Sequence, residues 1–332
     1  AAITLYAKWT LGNEQFFTFT VQTTAANQYF YIPVSGRLGS NSPPGYVYPP
    51  YDWNIDWGDG PAVERAAGNG GETAAGIGHA YEAAGTYRIT ITPAGEEDAW
   101  LGAFGFRSIT EGANSQDNKN RVVSVDSPLR PLMTRTQAQI AEGTAPSYEW
   151  VYTFSDCQND AFTMGEGFRF SDEWDSITTA GDSFAEAMFI YCSGADFAMN
   201  SVFNLPQKIT TVGEGFAVNM FYGCFGDAFT MNGVFNLPQG ITTAGDYFAY
   251  CMFYRCSGAG FLVNGVFKFP TLSSIPSGAF YQTFSLVFGA KAQDRTAASI
   301  INGNGTPDSD MNTFGPAAAW SDYDDIAANW QG

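Results

Sequence analysis

The sequence predicts a mainly β chain with short helices, a β-sandwich followed by a stacked-repeat solenoid. Three observations carry this expectation. Short runs of alternating apolar and polar residues fill roughly the first hundred positions, which is the period of a half-buried strand. The 37 glycines and 16 prolines supply turns between short elements. A 32-residue period then runs through the middle of the chain, as between Cys192, Cys224 and Cys256. The 332 residues suffice for two or three domains, and 16% aromatic with only 14% charged residues is not the composition of a disordered chain.

Residues 1–10, "AAITLYAKWT", alternate Ile3, Leu5, Ala7 and Trp9 and are expected to be the terminal strand of a preceding module. A chain that opens inside a strand reads as a piece of a longer protein. Residues 11–98 form the expected sandwich. "QFFTFTVQ" and "NQYFYIPV" are strand candidates, and "YDWNIDWGDG" alternates Trp53, Ile55 and Trp57 before the tight turn Gly58-Asp59-Gly60. "HAYEAAGTYRITIT" turns at Gly85 and alternates Tyr87, Ile89 and Ile91. Residues 99–150 are expected to be a connector and N-terminal cap, with a strand at Val122, Val123 and Val125 and a degenerate repeat at Trp150, Phe154 and Cys157.

Residues 151–290 hold the repeats. Copies run from Cys192 to Cys224 and from Cys224 to Cys256; an earlier one from Cys157 is three residues longer, and a later one has Val287 where cysteine is expected. "AFTMNGVF" places Phe229 and Met231 on one face of an expected strand. "GEGFAVNMFYGC" places Phe216, Ala217, Met220, Phe221 and Cys224 on one face of an expected short helix, with Glu214 suiting its positive end. One unit cannot bury its own apolar face, whereas stacked units can. Stacking puts Cys192, Cys224 and Cys256 in one ladder and Asn200, Asn232 and Asn264 in another, where the asparagines can satisfy backbone groups. Residues 291–332 are unlike the repeats and are expected to be a C-terminal cap, with Trp320, Tyr323, Ile326 and Trp330 over the last coil and Asp322, Asp324 and Asp325 as its solvated edge.

The run "ITTAGDYFAYCMFYRC" resembles the BspA-like leucine-rich repeats of bacterial surface proteins in its order of Ile, Gly, Phe and Cys. The units here are longer than that family's and rich in phenylalanine. Trp57, Gly58, Asp59, Gly60, His79, Tyr81, Gly85 and Tyr87 resemble the hallmarks of a PKD-type immunoglobulin-like domain. "TLYAKW" is similar to the end of a Listeria–Bacteroides (InlB B-type) repeat. Together these resemblances imply an extracellular protein of the bacterial cell surface.

The formal net charge of −18 disfavours nucleic acid and anionic lipid as partners, and no apolar run reaches the length of a membrane span. A single histidine, His79, rules out zinc sites built on several imidazoles and is expected to be a framework residue. Asp56 and Asp59 suit either a turn or calcium. The cysteines leave three readings: packed thiols, some disulfide, or metal, although a row of thiols suits tetrahedral zinc poorly. Cys251 stands off the ladder, and an exposed position is expected for it. No catalytic, cofactor or metal-binding residue is expected.

Glu186, Val218 and Tyr250, with Ile190, Tyr222 and Tyr254, vary between fixed positions and are expected to face outward. Tyr191, Tyr222 and Tyr254 are the candidate binding face, by sugar stacking or protein contact. The function expected is non-enzymatic adhesion to a host or bacterial surface protein or a glycan. The alternatives are a self-associating fibre subunit and an accessory carbohydrate-binding region of a larger enzyme.

Overall fold

A computed structural model describes residues 17–34, 50–69, 76–94, 105–106, 118–129, 142–226, 229–257, 264–285, 296–307, 310–314, 320 and 322–331. The chain is mainly β, with few helical residues. The strand expected over 1–10 and Val287 lie outside the described residues.

The first strands follow the alternation. β1 (Phe17–Thr23) buries Phe17, Phe19 and Val21; β2 (Gln28–Ile32) buries Phe30 and Ile32. β3 (Pro50–Asp56) buries Trp53 and Ile55 and pairs antiparallel with β4 (Val63–Asn69). β5 (Ile77–Tyr81) pairs antiparallel with β2, and β6 (Gly85–Pro93) brings Ile89 and Ile91 opposite Phe19 and Phe17 of β1. β4 lacks a buried alternating face (Val63 is 60% exposed) and was not an expected strand. Its place is held by seven residue pairs with β3.

β7 (Val122–Val125), from the expected connector, lies on the other side of β1 from β6. It pairs in parallel with β9 (Thr163–Met164), inside the first repeat copy. One six-stranded sheet, in the order β4-β3-β6-β1-β7-β9, therefore crosses from the N-terminal strands into the repeats. Lys119 Nζ reinforces the junction by pairing with Asp156 at 3.2 Å.

In the repeats, β8 (Thr144–Ala145), β10 (Thr179–Ala180), β11 (Thr211–Val212) and β12 (Thr243–Ala244) form a parallel sheet. Thr179 pairs with Thr211 and Thr211 with Thr243, so neighbouring copies sit one 32-residue period apart there. The strand expected in "AFTMNGVF" is not formed among the described residues of that copy: the short strands lie instead at the Ile-Thr-Thr stretches, and among the described residues the equivalent of that segment is a strand only at β9. Phe229 and Met231 still point inward, while Asn232 bends the backbone over itself by accepting from the N–H groups of Val234 and Phe235.

The expected helix is also replaced. Gly215, Asn219 and Gly223 have φ of 69°, 54° and 67°, a left-handed residue at every fourth position that no α-helix contains. The N–H groups of Gly215, Ala217, Asn219, Phe221 and Gly223 donate to carbonyls 31 residues further on. Those of Val218, Met220, Tyr222 and Cys224 donate to the carbonyl three residues back. The segment is a ribbon of four-residue turns stitched to the next copy. A period of four turns the same residues inward as a helix would over this length, and Phe216, Ala217, Met220, Phe221 and Cys224 are all buried.

Equivalent phenylalanines stack down the interior. Phe189, Phe221 and Phe253 have ring centroids 5.3 and 5.4 Å apart, at 6° and 1°; Phe197 and Phe229 lie 5.2 Å apart at 10°. The C-terminal segment continues the same bonding, with the N–H groups of Gln282 and Phe284 donating to Met311 and Thr313, and with Trp330 buried against Phe280. Asp322, expected as a solvated edge, instead accepts from the N–H groups of Ala297 and Ala298 and holds the start of α1 (Ala297–Ile301). Among the described residues no helix is long and apolar enough to cross a membrane.

Candidate functional site

With the inner face of the ribbon filled by phenylalanine, methionine and cysteine, its outer face carries the side chains available to a partner. The four-residue turn sorts them into columns that run across the copies. One column holds Ile190, Tyr222 and Tyr254. The next holds Tyr191, Gly223 and Arg255, all left-handed, with φ between 57° and 67°. A third holds Glu186, Val218 and Tyr250, and a fourth holds Asp182, Glu214 and Asp246.

The structure brings the three expected tyrosines together, though not as equivalents. Tyr222 and Tyr254 share a column, with centroids 5.1 Å apart at 32°. Tyr191 belongs to the next column and meets Tyr222 edge-on at 5.4 Å. Its ring lies over Gly223, where an added Cβ would come within 2.7 Å of it. Tyr191 is 40% exposed, and Tyr222 and Tyr254 are partly exposed. The guanidinium of Arg255 sits 5.4 Å from the centre of the Tyr254 ring. Partial burial, then the neighbouring Tyr191, raises the Tyr222 hydroxyl above its ordinary value.

A second patch on the same face is a cleft of ≈ 380 Å³ that the sequence did not single out. Tyr148, Tyr247 and Tyr250 line it, with Asp182, Glu186 and Glu214. Tyr250 stacks on Tyr281 at 5.1 Å and 16°, and meets Tyr247 edge-on at 5.7 Å. Its hydroxyl is pushed up to about 12, chiefly by burial and then by Cys251, so it stays a neutral phenol at physiological pH. Glu214 was expected to suit a helix end, and no helix forms there. The acids at the equivalent place in the copies before and after it bridge copies: Asp182 Oδ1 accepts from the Glu214 N–H at 2.9 Å, and Asp246 Oδ1 from that of Ser277 at 3.0 Å.

No protein-family model matches the chain, and no curated protein or solved structure matches it either.

All five cysteines are free and buried. Cys192, Cys224 and Cys256 donate their thiols to the carbonyls of Phe154, Phe189 and Phe221 at 3.1, 3.3 and 3.0 Å. Burial holds the thiols of Cys192 and Cys224 well above their ordinary range, so they remain neutral donors. Cys251 is not exposed as expected: it is 4% accessible, with its sulfur 3.7 Å from Gln282 Oε1. The left-handed turn directs it sideways, into the next copy.

The asparagines fill the other ladder. Asn232 Nδ2 donates to the carbonyls of Asn200 and Phe203, and Asn264 Nδ2 to those of Asn232 and Phe235. A further asparagine ladder was missed in "VFNLPQ": Asn204 Oδ1 accepts from the Asn236 N–H and its Nδ2 donates to the Val234 carbonyl. The recurrence of that asparagine at the same period was the available signal.

His79 stacks on Trp57 at 4.7 Å and 10°, with Nε2 2.7 Å from Asp59 Oδ2. Asp56 Oδ1 accepts from the Gly58 N–H. The two acids are thus engaged in the turn. Among the described residues no group of three or more His, Cys, Asp or Glu side chains could hold a metal ion.

Proposed function

We propose that this chain is a non-enzymatic binding module of an extracellular bacterial surface protein, in which a solenoid following a β-sandwich offers its outer ribbon face to a protein or glycan. The BspA-like and PKD-like resemblances support the setting. The observation that carries the reading is the row of partly exposed tyrosines at Tyr191, Tyr222 and Tyr254, held side by side by backbone bonds between copies. Rings fixed in this way lose little conformational freedom when a partner covers them, and tyrosine is prominent among residues that dominate interfaces.

The test is a panel of immobilised glycans and of bacterial and host surface proteins, probed with the intact chain and with Tyr222→Ala/Tyr254→Ala. The expected result is a specific ligand whose binding falls at least about tenfold in the variant while its melting temperature stays close to the parent's. A ligand bound equally well by the folded variant would overturn the assignment of the tyrosine row, and failure of the parent chain to bind any member would count against the binding module itself.

A further inference from the structure

We propose that the cleft between Tyr148, Tyr247 and Tyr250 receives a cationic side chain, lysine or arginine, presented by a partner polypeptide. The inference rests on the reading of the ribbon as a binding face and specifies the chemistry of a second patch on it.

Asp182, Glu186 and Glu214 line the cleft, and none of its nine lining residues is basic. A cation entering it meets a net negative lining, whereas an anionic glycan is repelled. The walls are tyrosine rings, whose faces attract ammonium and guanidinium groups, as Arg255 already does over Tyr254 on the same surface. The site is also preorganised. Asp182 is fixed by the Glu214 N–H, Tyr247 stands over Gly278, and Tyr250 is stacked on Tyr281. A volume of ≈ 380 Å³ suits a long side chain with its hydration better than a folded domain. Charge also argues against a second copy as the occupant, because a chain of net charge −18 repels its own kind.

The intact chain is titrated with a pentalysine peptide and with a pentaglutamate peptide by calorimetry. Because any polycation is drawn to so acidic a protein, the variants are matched in charge: Glu186→Gln/Glu214→Gln inside the cleft, and Asp324→Asn/Asp325→Asn on the exposed C-terminal segment. The expected result is saturable binding of pentalysine alone, weakened at least about tenfold by the cleft pair and little by the remote pair. Equal weakening by both pairs, or no saturable binding, overturns the proposal. Self-association that the cleft pair abolishes overturns the choice of partner. Tyr222→Ala/Tyr254→Ala separates the two readings: loss of a surface ligand in that variant with no effect of the cleft pair on pentalysine sinks this inference alone. Pentalysine behaving as expected while the tyrosine row binds nothing sinks only the other.

Discussion

The amide of Asn232 has all its bonding capacity committed. It donates twice to carbonyls of the preceding copy and accepts from Val234 and Phe235 of its own, at 3.0 and 2.7 Å. Replacing it strands buried backbone groups on both sides, so Asn232→Ala is expected to lower stability by roughly 3 kcal/mol in urea denaturation. Asn232→Asp keeps the acceptors and sets a carboxylate against two carbonyls, and it should cost at least as much at neutral pH. A loss below about 0.5 kcal/mol in either variant would show that solvent or backbone movement replaces the amide. This role was legible in the sequence, because an asparagine recurring at a fixed place in each copy needs a shared partner. Tyr148 and Tyr247 were not legible in the same way. Both stand nine residues before a cysteine, Cys157 and Cys256, but the copies between them have Ser183 and Gly215 at that place, so no recurring residue type marks the cleft's walls.

At the scale of the element, the ribbon exposes a limit of periodicity. Over nine residues a turn of four and a helix of 3.6 bury the same positions, and the two cannot be told apart by pattern. The distinguishing fact is the left-handed residue at every fourth place, and only some of these are glycine: Asn219, Tyr191 and Cys251 occupy others. At Gly223 the requirement has two parts, since φ is 67° and Tyr191 covers its Cα. Gly223→Ala should therefore cost about 1–2 kcal/mol, with displacement of the Tyr191 ring adding to the backbone strain. Gly233→Ala, in the same copy, is the control: a Cβ added there would have no atom within 4 Å, and thermal melts should place the variant within about 0.5 kcal/mol of the parent. Equal effects of the two would contradict the ribbon geometry.

For the molecule as a whole, burial shifts several phenols and thiols in one direction. Tyr81, Tyr222, Tyr250, Cys192, Cys224 and Cys251 are all raised, with Tyr250 and Cys251 reaching about 12. A folded state that holds its protons more tightly than the unfolded chain has this stabilisation in full below the unfolded values and loses it as pH climbs through the folded ones. Denaturation midpoints should accordingly decline from about pH 9, the ordinary thiol value, toward pH 12. A flat profile across that window would mean that these groups titrate without opening the core. At this scale the mainly β class was legible from alternation and turns. The continuous sheet from β4 to β9 was not, because β7 and β9 share only two residue pairs and carry no local sign of their partner.

The register between copies has a consequence for valency. Each 32-residue copy adds one strand spacing, about 5 Å, to the height of the stack, although the same residues fully extended would span roughly 110 Å. Repetition is therefore an inefficient way to gain reach and an efficient way to multiply rows of outward side chains. Since each copy bonds to its neighbour through equivalent atoms, copies can be gained or lost in whole periods with the remaining partners unchanged. Copy number then sets how many contacts a ligand meets at once, and under the proposed reading avidity scales with it.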